Sequence, residues 1–228
     1  MLLSIVIPVY NEKNTILDIL NKIKELPKSL DREIIIVDDG SKDGTREILE
    51  KLKNEKNYHI IFKTKNSGKG DSLIVGFKES KGDYVIIQDA DLEYDPMDYL
   101  KLLEEIQKNP KTVVYGSRFL GTYKDMSSLH YVGNKLLTLV TNILYGVYLT
   151  DMETCYKLFP GDFIRNVKIK AKRFEFEPEI TAKIIKAGYK ITELPINYYG
   201  RSFSEGKKIT WKDGFSAILS LIKYRFTN

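Results

Sequence analysis

Cysteine is nearly absent, with Cys155 the only one in 228 residues. That excludes an internal disulfide and any metal site built on thiolates, and makes a cytosolic compartment the expectation. Long apolar runs are missing too. The longest uncharged stretch, Leu136 to Thr150, is interrupted by Thr, Asn and Gly and is too short to span a bilayer, so no transmembrane segment is expected. Met1 leads straight into LLSIVIPVY with no basic n-region and no small-residue cleavage site, which reads as a first strand and not as a signal peptide. No GxGxxG follows that strand, which argues against a dinucleotide-binding dehydrogenase. Neither sign of charge is in large excess, since 36 Lys and Arg face 31 Asp and Glu, a net +5. This is too mild for bulk nucleic-acid binding, although a basic surplus favours phosphate ligands or an anionic membrane surface.

What is present is an ordinary globular composition, 43% hydrophobic and 29% charged, on a chain long enough for one sizeable core. Short β-branched runs recur as LSIVIPV, EIIIVDD, HIIFK, DYVIIQD and TVVYG. Between them apolar residues follow a helical period, as in Ile16, Ile19, Leu20 and Ile23 and again in Ile48, Leu49 and Leu52. Continuous apolar strands alternating with helices predict an α/β fold with a mostly parallel central sheet and helices on both faces. In the second half, LHYVGNKLLTLVTNILYGVYLT reads as a helix with a broad apolar face, PEITAKIIKAGYKITELPINYYG as helix then strand, and TWKDGFSAILSLIKYRF as a closing apolar helix. No linker is visible, so residues 1–228 are expected to form one domain with halves 1–120 and 121–228.

Ligands of such sheets bind at the carboxyl ends of the strands. The first strand ends in Pro8, Tyr10, Asn11 and Glu12, the second in Asp38, Asp39, Gly40 and Ser41, the fourth in Asp89, Ala90 and Asp91, and the fifth in Gly116, Ser117 and Arg118. Nearly all the strong polar chemistry of the first half therefore falls on one edge. The densest stretch is YVIIQDADLEYDP, Tyr84 to Pro96, where an apolar strand runs into Asp89, Asp91, Glu93 and Asp95. A helix entry needs one acid, and Asp95 before Pro96 supplies it. The others would raise one another's pKa unless a cation sits among them. Oxygen donors at i and i+2 suit Mg2+ or Mn2+, with a bound diphosphate completing the shell.

SIVIPVYNE, VDDGSKDGT, NSGKGDSLIVGF, DYVIIQDADLEYDP and GSR stand in the order and spacing of family 2 glycosyltransferases with the GT-A fold. TDMETCYKLF, FEFEPEI and INYYGRSFSEGKKI resemble the dolichyl-phosphate or polyprenyl-phosphate mannosyl- and glucosyltransferase branch. The resemblance spans roughly Leu3 to Phe226 and makes 1–120 the nucleotide-sugar-binding half and 121–228 the acceptor-binding half. It implies an inverting, metal-dependent transfer of a hexose from a donor of the UDP-glucose or GDP-mannose type to a polyprenyl phosphate. By the same resemblance Pro8, Tyr10, Glu12, Val37 and Asp39 contact the nucleotide, Lys69 meets the diphosphate, and Asp89, Ala90 and Asp91 form the DxD motif. Asp91 is then the foremost metal ligand, Asp89 serves ribose or metal, and Glu93, where many relatives are uncharged, is a third candidate. Arg118, Lys135, Arg201 and Lys207 are cations for donor diphosphate and acceptor phosphate, with Asn134 beside Lys135. Relatives often carry Ser-Arg where this chain has Asn134-Lys135, which exchanges a bidentate fork for a point charge.

The implied chemistry has its own logic. A hydroxyl acceptor requires a general base within hydrogen-bond reach. A phosphate monoester, already mostly dianionic at neutral pH, needs cationic anchors instead. Arg118 and Arg201 are expected to be catalytic with Asp91, and RSFSEGKKI to close over the donor. Glu153 is the only appealing base for the rival acceptor, a glycan or glycolipid hydroxyl; a non-catalytic nucleotide-sugar or lipid-binding module is the second rival. Of the two histidines, His59 reads as structural and His130 as able to approach the acceptor. The closing helix carries Trp211, Phe215, Ile218, Leu219 and Ile222 on one face beside Lys212, Lys223 and Arg225. That pattern predicts a peripheral attachment at the cytoplasmic face of a membrane, which the helix around Leu136 to Tyr148 could share.

Overall fold

The computed structural model describes residues 1–201 and 211–227. In chain order the elements are β1 (Leu2–Val9), α1 (Ile16–Glu25), β2 (Asp31–Asp38), α2 (Thr45–Leu52), β3 (Tyr58–Phe62), α3 (Lys69–Glu79), β4 (Tyr84–Ile87), a 3-10 turn (Pro96–Asp98), α4 (Tyr99–Lys108), β5 (Thr112–Lys124), α5 (Ser128–Tyr145), β6 (Lys157–Pro160), α6 (Gly161–Asn166), α7 (Phe176–Lys186), β7 (Lys190–Tyr199) and α8 (Trp211–Phe226). The seven strands form one sheet in the order β3-β2-β1-β4-β6-β5-β7. Every pairing is parallel except those of β6, which runs antiparallel to both β4 and β5. The expected α/β architecture is therefore the observed one.

The continuous apolar runs of β1, β2 and β4 are buried because helices cover both faces, and Ile5, Ile7, Ile35, Ile36, Val85 and Ile86 are inaccessible to solvent. β3 is an edge strand, and His59 is exposed there rather than buried in a core. β6 is the element that the sequence does not announce. Its four residues, KLFP, contain no β-branched side chain and begin with a lysine. Lys157 is nonetheless fully buried; its ammonium donates to the carbonyls of Met152 (2.9 Å) and Thr154 and lies 4.7 Å from the Tyr115 ring centre.

β5 is long because it changes role midway. Thr112 to Arg118 is buried, whereas Gly121 to Lys124 is exposed and re-pairs with β7 after a register shift between Ser117 and Thr122. The irregularity releases Arg118 and Phe119 from regular pairing at the carboxyl edge of the sheet. It depends on Gly121, where a Cβ would lie 2.0 Å from the Ile196 carbonyl oxygen. α5 is capped by Ser127, whose hydroxyl accepts from the His130 N–H, and stops at Gly146 in the left-handed region at φ 66°. α5 and α8 share a second small core of Leu137, Leu149, Met152, Ala217 and Leu221. Among the described residues no helix is long and apolar enough to cross a membrane.

Candidate active site

Three short segments at the ends of β1, β2 and β3 assemble first. Asn11 adopts φ 54° between β1 and α1, which turns its N–H to Ser41 Oγ (2.9 Å) and its Oδ1 to the Lys42 N–H (2.9 Å). Asp39 follows β2 and receives the Ser67 and Gly68 N–H groups at 3.0 and 2.7 Å, with Lys63 Nζ 2.5 Å away. Gly68 makes this turn possible: its φ is 104°, and a Cβ there would meet the Lys172 carbonyl oxygen at 2.3 Å. The NSGKG turn then continues into α3 with Lys69 reaching back under the sheet edge.

Lys69 Nζ lies 3.0 Å from Asp89 and 3.2 Å from Glu177. Burial opposes its charge, but Asp89, Cys155 and Glu177 together outweigh burial and hold the ammonium well above the usual lysine range. Burial likewise works against ionisation of Asp89, and Lys69, Cys155 and Arg201 together reverse this to keep the carboxylate below its ordinary value. Asp91 is in a different balance. Burial, then the neighbouring Asp89 and Glu93, push its carboxyl up to about 7 against the pull of Arg201. Arg201 binds Asp91 at 3.1 Å and Glu12 at 3.0 Å, so the end of β7 is tied to the ends of β1 and β4.

Glu93 faces β7 as well. It accepts from the Tyr198 hydroxyl and from the Arg201 N–H, each at 2.8 Å. Asp95 accepts from the Met97 N–H at 3.0 Å and caps the 3-10 turn, as expected of it. Among the described residues no three acidic, histidine or cysteine side chains converge as a ready metal cluster. The donor set still suits a hard divalent cation. Asp89 and Asp91 offer carboxylate oxygens two residues apart, and a cation between them would offset the burial and the like charges of Asp89 and Glu93 that raise the Asp91 pKa.

The remaining cations stand on β5 and α5. Arg118 is fastened by Asp151, Nε to Oδ2 and Nη2 to Oδ1 both at 2.7 Å. Burial opposes the charge, yet Asp151 holds the guanidinium firmly ionised. Asp151 is itself oriented with the next loop, since Glu193 accepts the Thr150 and Asp151 N–H groups at 2.6 and 2.9 Å. Lys135 Nζ sits 4.2 Å from the Phe119 ring centre, and the Arg118 guanidinium lies 5.7 Å from the same ring and 5.2 Å from that of Tyr198. A continuous path thus runs from Lys135 through Phe119, Arg118, Tyr198 and Glu93 to Arg201 and Asp91.

Of the residues singled out in the sequence, Tyr10, Glu12, Asp39, Lys69, Asp89, Asp91, Glu93, Arg118, Lys135 and Arg201 occupy this edge. Pro8 and Val37 are register partners in the ladder; Val37 is fully buried, and a Cβ on Gly76 of α3 would stand 3.5 Å from its methyl. Ala90 is also buried, and Asn134 is half-buried on α5 beside Lys135. Lys207 lies outside the described residues. Lys63, Asp151, Glu177 and Tyr198 were not expected. Each acts through a partner remote in sequence, and only the clustering of acids in TDMET and FEFEPEI gave a hint.

Residues 4–152 match the model of glycosyl transferase family 2, so the chain belongs to that family and carries its GT-A fold. It is 30% identical over 91% of its length to the dolichol-phosphate mannosyltransferase of Pyrococcus furiosus, of which it spans 59%. It is also 30% identical to the UDP-N-acetylglucosamine–dolichyl-phosphate N-acetylglucosaminyltransferase of Methanococcus voltae, covering 97% of this chain and 95% of that one. Among solved structures, the glucosyl-3-phosphoglycerate synthase of Mycobacterium tuberculosis, in complex with Mn2+, UDP and phosphoglyceric acid, superposes with a TM-score of 0.74 at 16% identity over 98% of this chain and 78% of that one. At that identity the likeness concerns the fold.

Proposed function

We propose that the protein transfers a hexose from a nucleoside diphosphate sugar to a polyprenyl phosphate, with inversion and with a divalent cation. The observation that carries this reading is the pairing of Arg118 and Lys135 on one aromatic ring, linked through Tyr198 and Glu93 to Asp91. Lys135, which forms no ion pair among the described residues, and Arg118, whose partner Asp151 is buried, suit a phosphate nucleophile, which needs charge compensation and no base. The likeness to two dolichyl-phosphate sugar transferases supports the same acceptor.

Tyr10, Glu12 and Asp39 border the place for the base and ribose, and Lys69 and Arg201 stand where a diphosphate would exchange with Asp89 and Asp91 for their charge. Asp89 and Asp91 would hold the cation, with Glu93 at hand. The cation would supply neutralisation of the charge that develops on the departing diphosphate. Arg201 is already positioned against Asp91 and could pass to a phosphate oxygen without leaving the site. The alternative acceptor, a hydroxyl, would ask Glu153 to be the base. Burial and Glu177 push that carboxyl up to about 8, so it holds its proton at neutral pH.

The acceptor places the protein at a membrane. α5 exposes Leu129, Val132, Leu136, Leu139 and Ile143 along one stripe, and α8 exposes Phe215, Leu219, Ile222 and Phe226. Such stripes favour the headgroup boundary, in which apolar burial adds to the attraction of Lys223 and Arg225 for anionic lipid. We take the cytoplasmic face to be the site of attachment.

The test is a donor screen with UDP-glucose, GDP-mannose and UDP-N-acetylglucosamine, a short polyprenyl phosphate and Mn2+ or Mg2+, read as released nucleoside diphosphate. Transfer to the phosphate and none to the matching polyprenol is expected, with loss in EDTA. Asp91→Asn should lower the rate by about 100-fold or more with the fold intact. Equal use of both lipids, or full turnover in EDTA, would sink the corresponding part.

A further inference from the structure

Away from the transfer centre, a cavity of about 730 Å³ opens between the β3–α3 turn, the segment before α7 and one flank of α8. Among the described residues its walls carry Lys65, Lys170, Lys172, Arg173 and Lys223 against a single acid, Glu175. Lys65, Lys172, Arg173 and Lys223 form no ion pair among the described residues, and all four are exposed. Glu175 is partly spent, since it accepts from Ser216 Oγ at 3.3 Å and from the Arg173 N–H at 3.2 Å. A second cavity of about 500 Å³ shares Lys170 and adds Lys168, Lys183 and Lys186. In a chain whose net charge is only +5, this is a strong local concentration of positive charge.

The geometry of α8 indicates what fits. Ser216, Leu219, Ser220 and Lys223 line the cavity at i, i+3, i+4 and i+7, which is one face of the helix. Phe215, Leu219, Ile222 and Phe226 form the adjoining exposed stripe, and Ile218 and Leu221 turn the other way, toward α5. The cavity therefore lies on the flank of α8 opposite α5 and Lys135, with an apolar rim shared through Leu219. A cationic socket with hydroxyl donors beside an apolar edge complements an amphiphile, in which a phosphate stands next to hydrocarbon. We infer that this cavity is a headgroup site for an anionic glycerophospholipid of the bilayer, separate from the transfer centre. Occupied, it fixes the rotation of the protein on the membrane, since it sits on one side of the apolar surface and the acceptor cations on the other. The inference rests on the membrane attachment proposed above, and not on the identity of donor or acceptor.

The test compares Lys172→Ala/Arg173→Ala/Lys223→Ala with Lys28→Ala/Lys51→Ala/Lys53→Ala, which removes equal charge near the starts of β2 and β3, at the opposite edge of the sheet. Flotation with phosphatidylcholine–phosphatidylglycerol vesicles of about 7:3 composition should show about 10-fold or greater loss of binding for the first triple, at roughly 1 kcal/mol per basic residue near such a surface. The control triple should stay within about 3-fold of the unaltered chain. Lys65→Glu, on an exposed turn, is a second variant should the triple fail to fold, and it too should weaken binding. Equal losses for both triples would reduce the effect to net charge and overturn the site, as would no loss in either. Inorganic phosphate titrated without vesicles should give no heat that depends on the three residues; if it does, the cavity takes free phosphate and the lipid assignment fails. Transfer to a short polyprenyl phosphate in detergent should be equal in all variants. Absence of transfer with retained, cavity-dependent flotation would defeat the proposed activity and leave this site standing.

Discussion

Glu153 ends in an oxygen, Oε1, that is buried and meets no hydrogen-bond donor among the described residues. Burial and the nearby Glu177 push its carboxyl up to about 8, so the folded protein holds a proton there that the unfolded chain releases near the ordinary glutamate value. Stability from this group consequently falls as pH rises from about 4.5 to about 8 and is fully lost above. Glu153→Gln, an isostere that never ionises, should be neutral near pH 4 and should stabilise above pH 8 by about 1–2 kcal/mol, or about 3–6 °C in melting temperature. Thermal melts across that range decide it; a variant equally stable at pH 4 but no better at pH 9 would contradict the assignment. The same scale shows what one sequence discloses. Asp89, Asp91 and Glu93 were visible because charge at the end of an apolar run is a local pattern. The Arg118–Asp151 pair was not, because its members are 33 residues apart and nothing in GSR or TDMET names the other.

At the scale of elements, β5 shows how the chain spends backbone regularity on function. Its buried first half is an ordinary sheet strand, legible as TVVYG, and its second half passes through the irregularity that places Arg118 and Phe119. The continuation past Gly116 was not legible, since Phe119 is only half-buried and the residues from Leu120 onward are exposed and lack strand alternation. Gly121→Ala tests the element directly. The added methyl would stand 2.0 Å from the Ile196 carbonyl oxygen, backbone that cannot yield as a side chain would. A cost of about 2 kcal/mol or more is expected, lowering the melting temperature by about 4–8 °C. Activity should drop further than stability explains, because β7 must shift and with it Tyr198 and Arg201. A variant as stable and active as the original would show that the register shift is not needed. β6 went unseen for a related reason: a buried lysine satisfied by carbonyls and a ring does not look like strand from its neighbours alone.

For the whole molecule, the distribution of apolar surface is the property that connects fold to setting. Two helices that share a small core also each turn a stripe of large apolar residues outward, with Ile143 73% and Phe215 62% exposed. Leaving these residues in water forgoes burial worth about 1.5–3 kcal/mol per fully covered side chain, so a surface that covers them is strongly favoured. The polar edge that holds Asp91, Arg118 and Arg201 is assembled by the same two halves of the chain, which would let an acceptor phosphate reach the site while its hydrocarbon stays in the bilayer. We therefore predict peripheral, salt-sensitive binding to anionic vesicles. Leu139→Ser/Ile143→Ser should weaken it by about 10-fold or more, since two partly inserted side chains lose their apolar contribution. Because both residues are exposed, the melting temperature should move by no more than about 2 °C. Lys223→Glu/Arg225→Glu should weaken binding at low salt and lose its effect as ionic strength rises past the point at which surface charges are screened. Co-sedimentation across a salt series separates the two contributions. If the α5 pair binds as well as the unaltered chain at every salt concentration, the apolar stripe of α5 does not meet the membrane and α8 alone would have to carry the attachment.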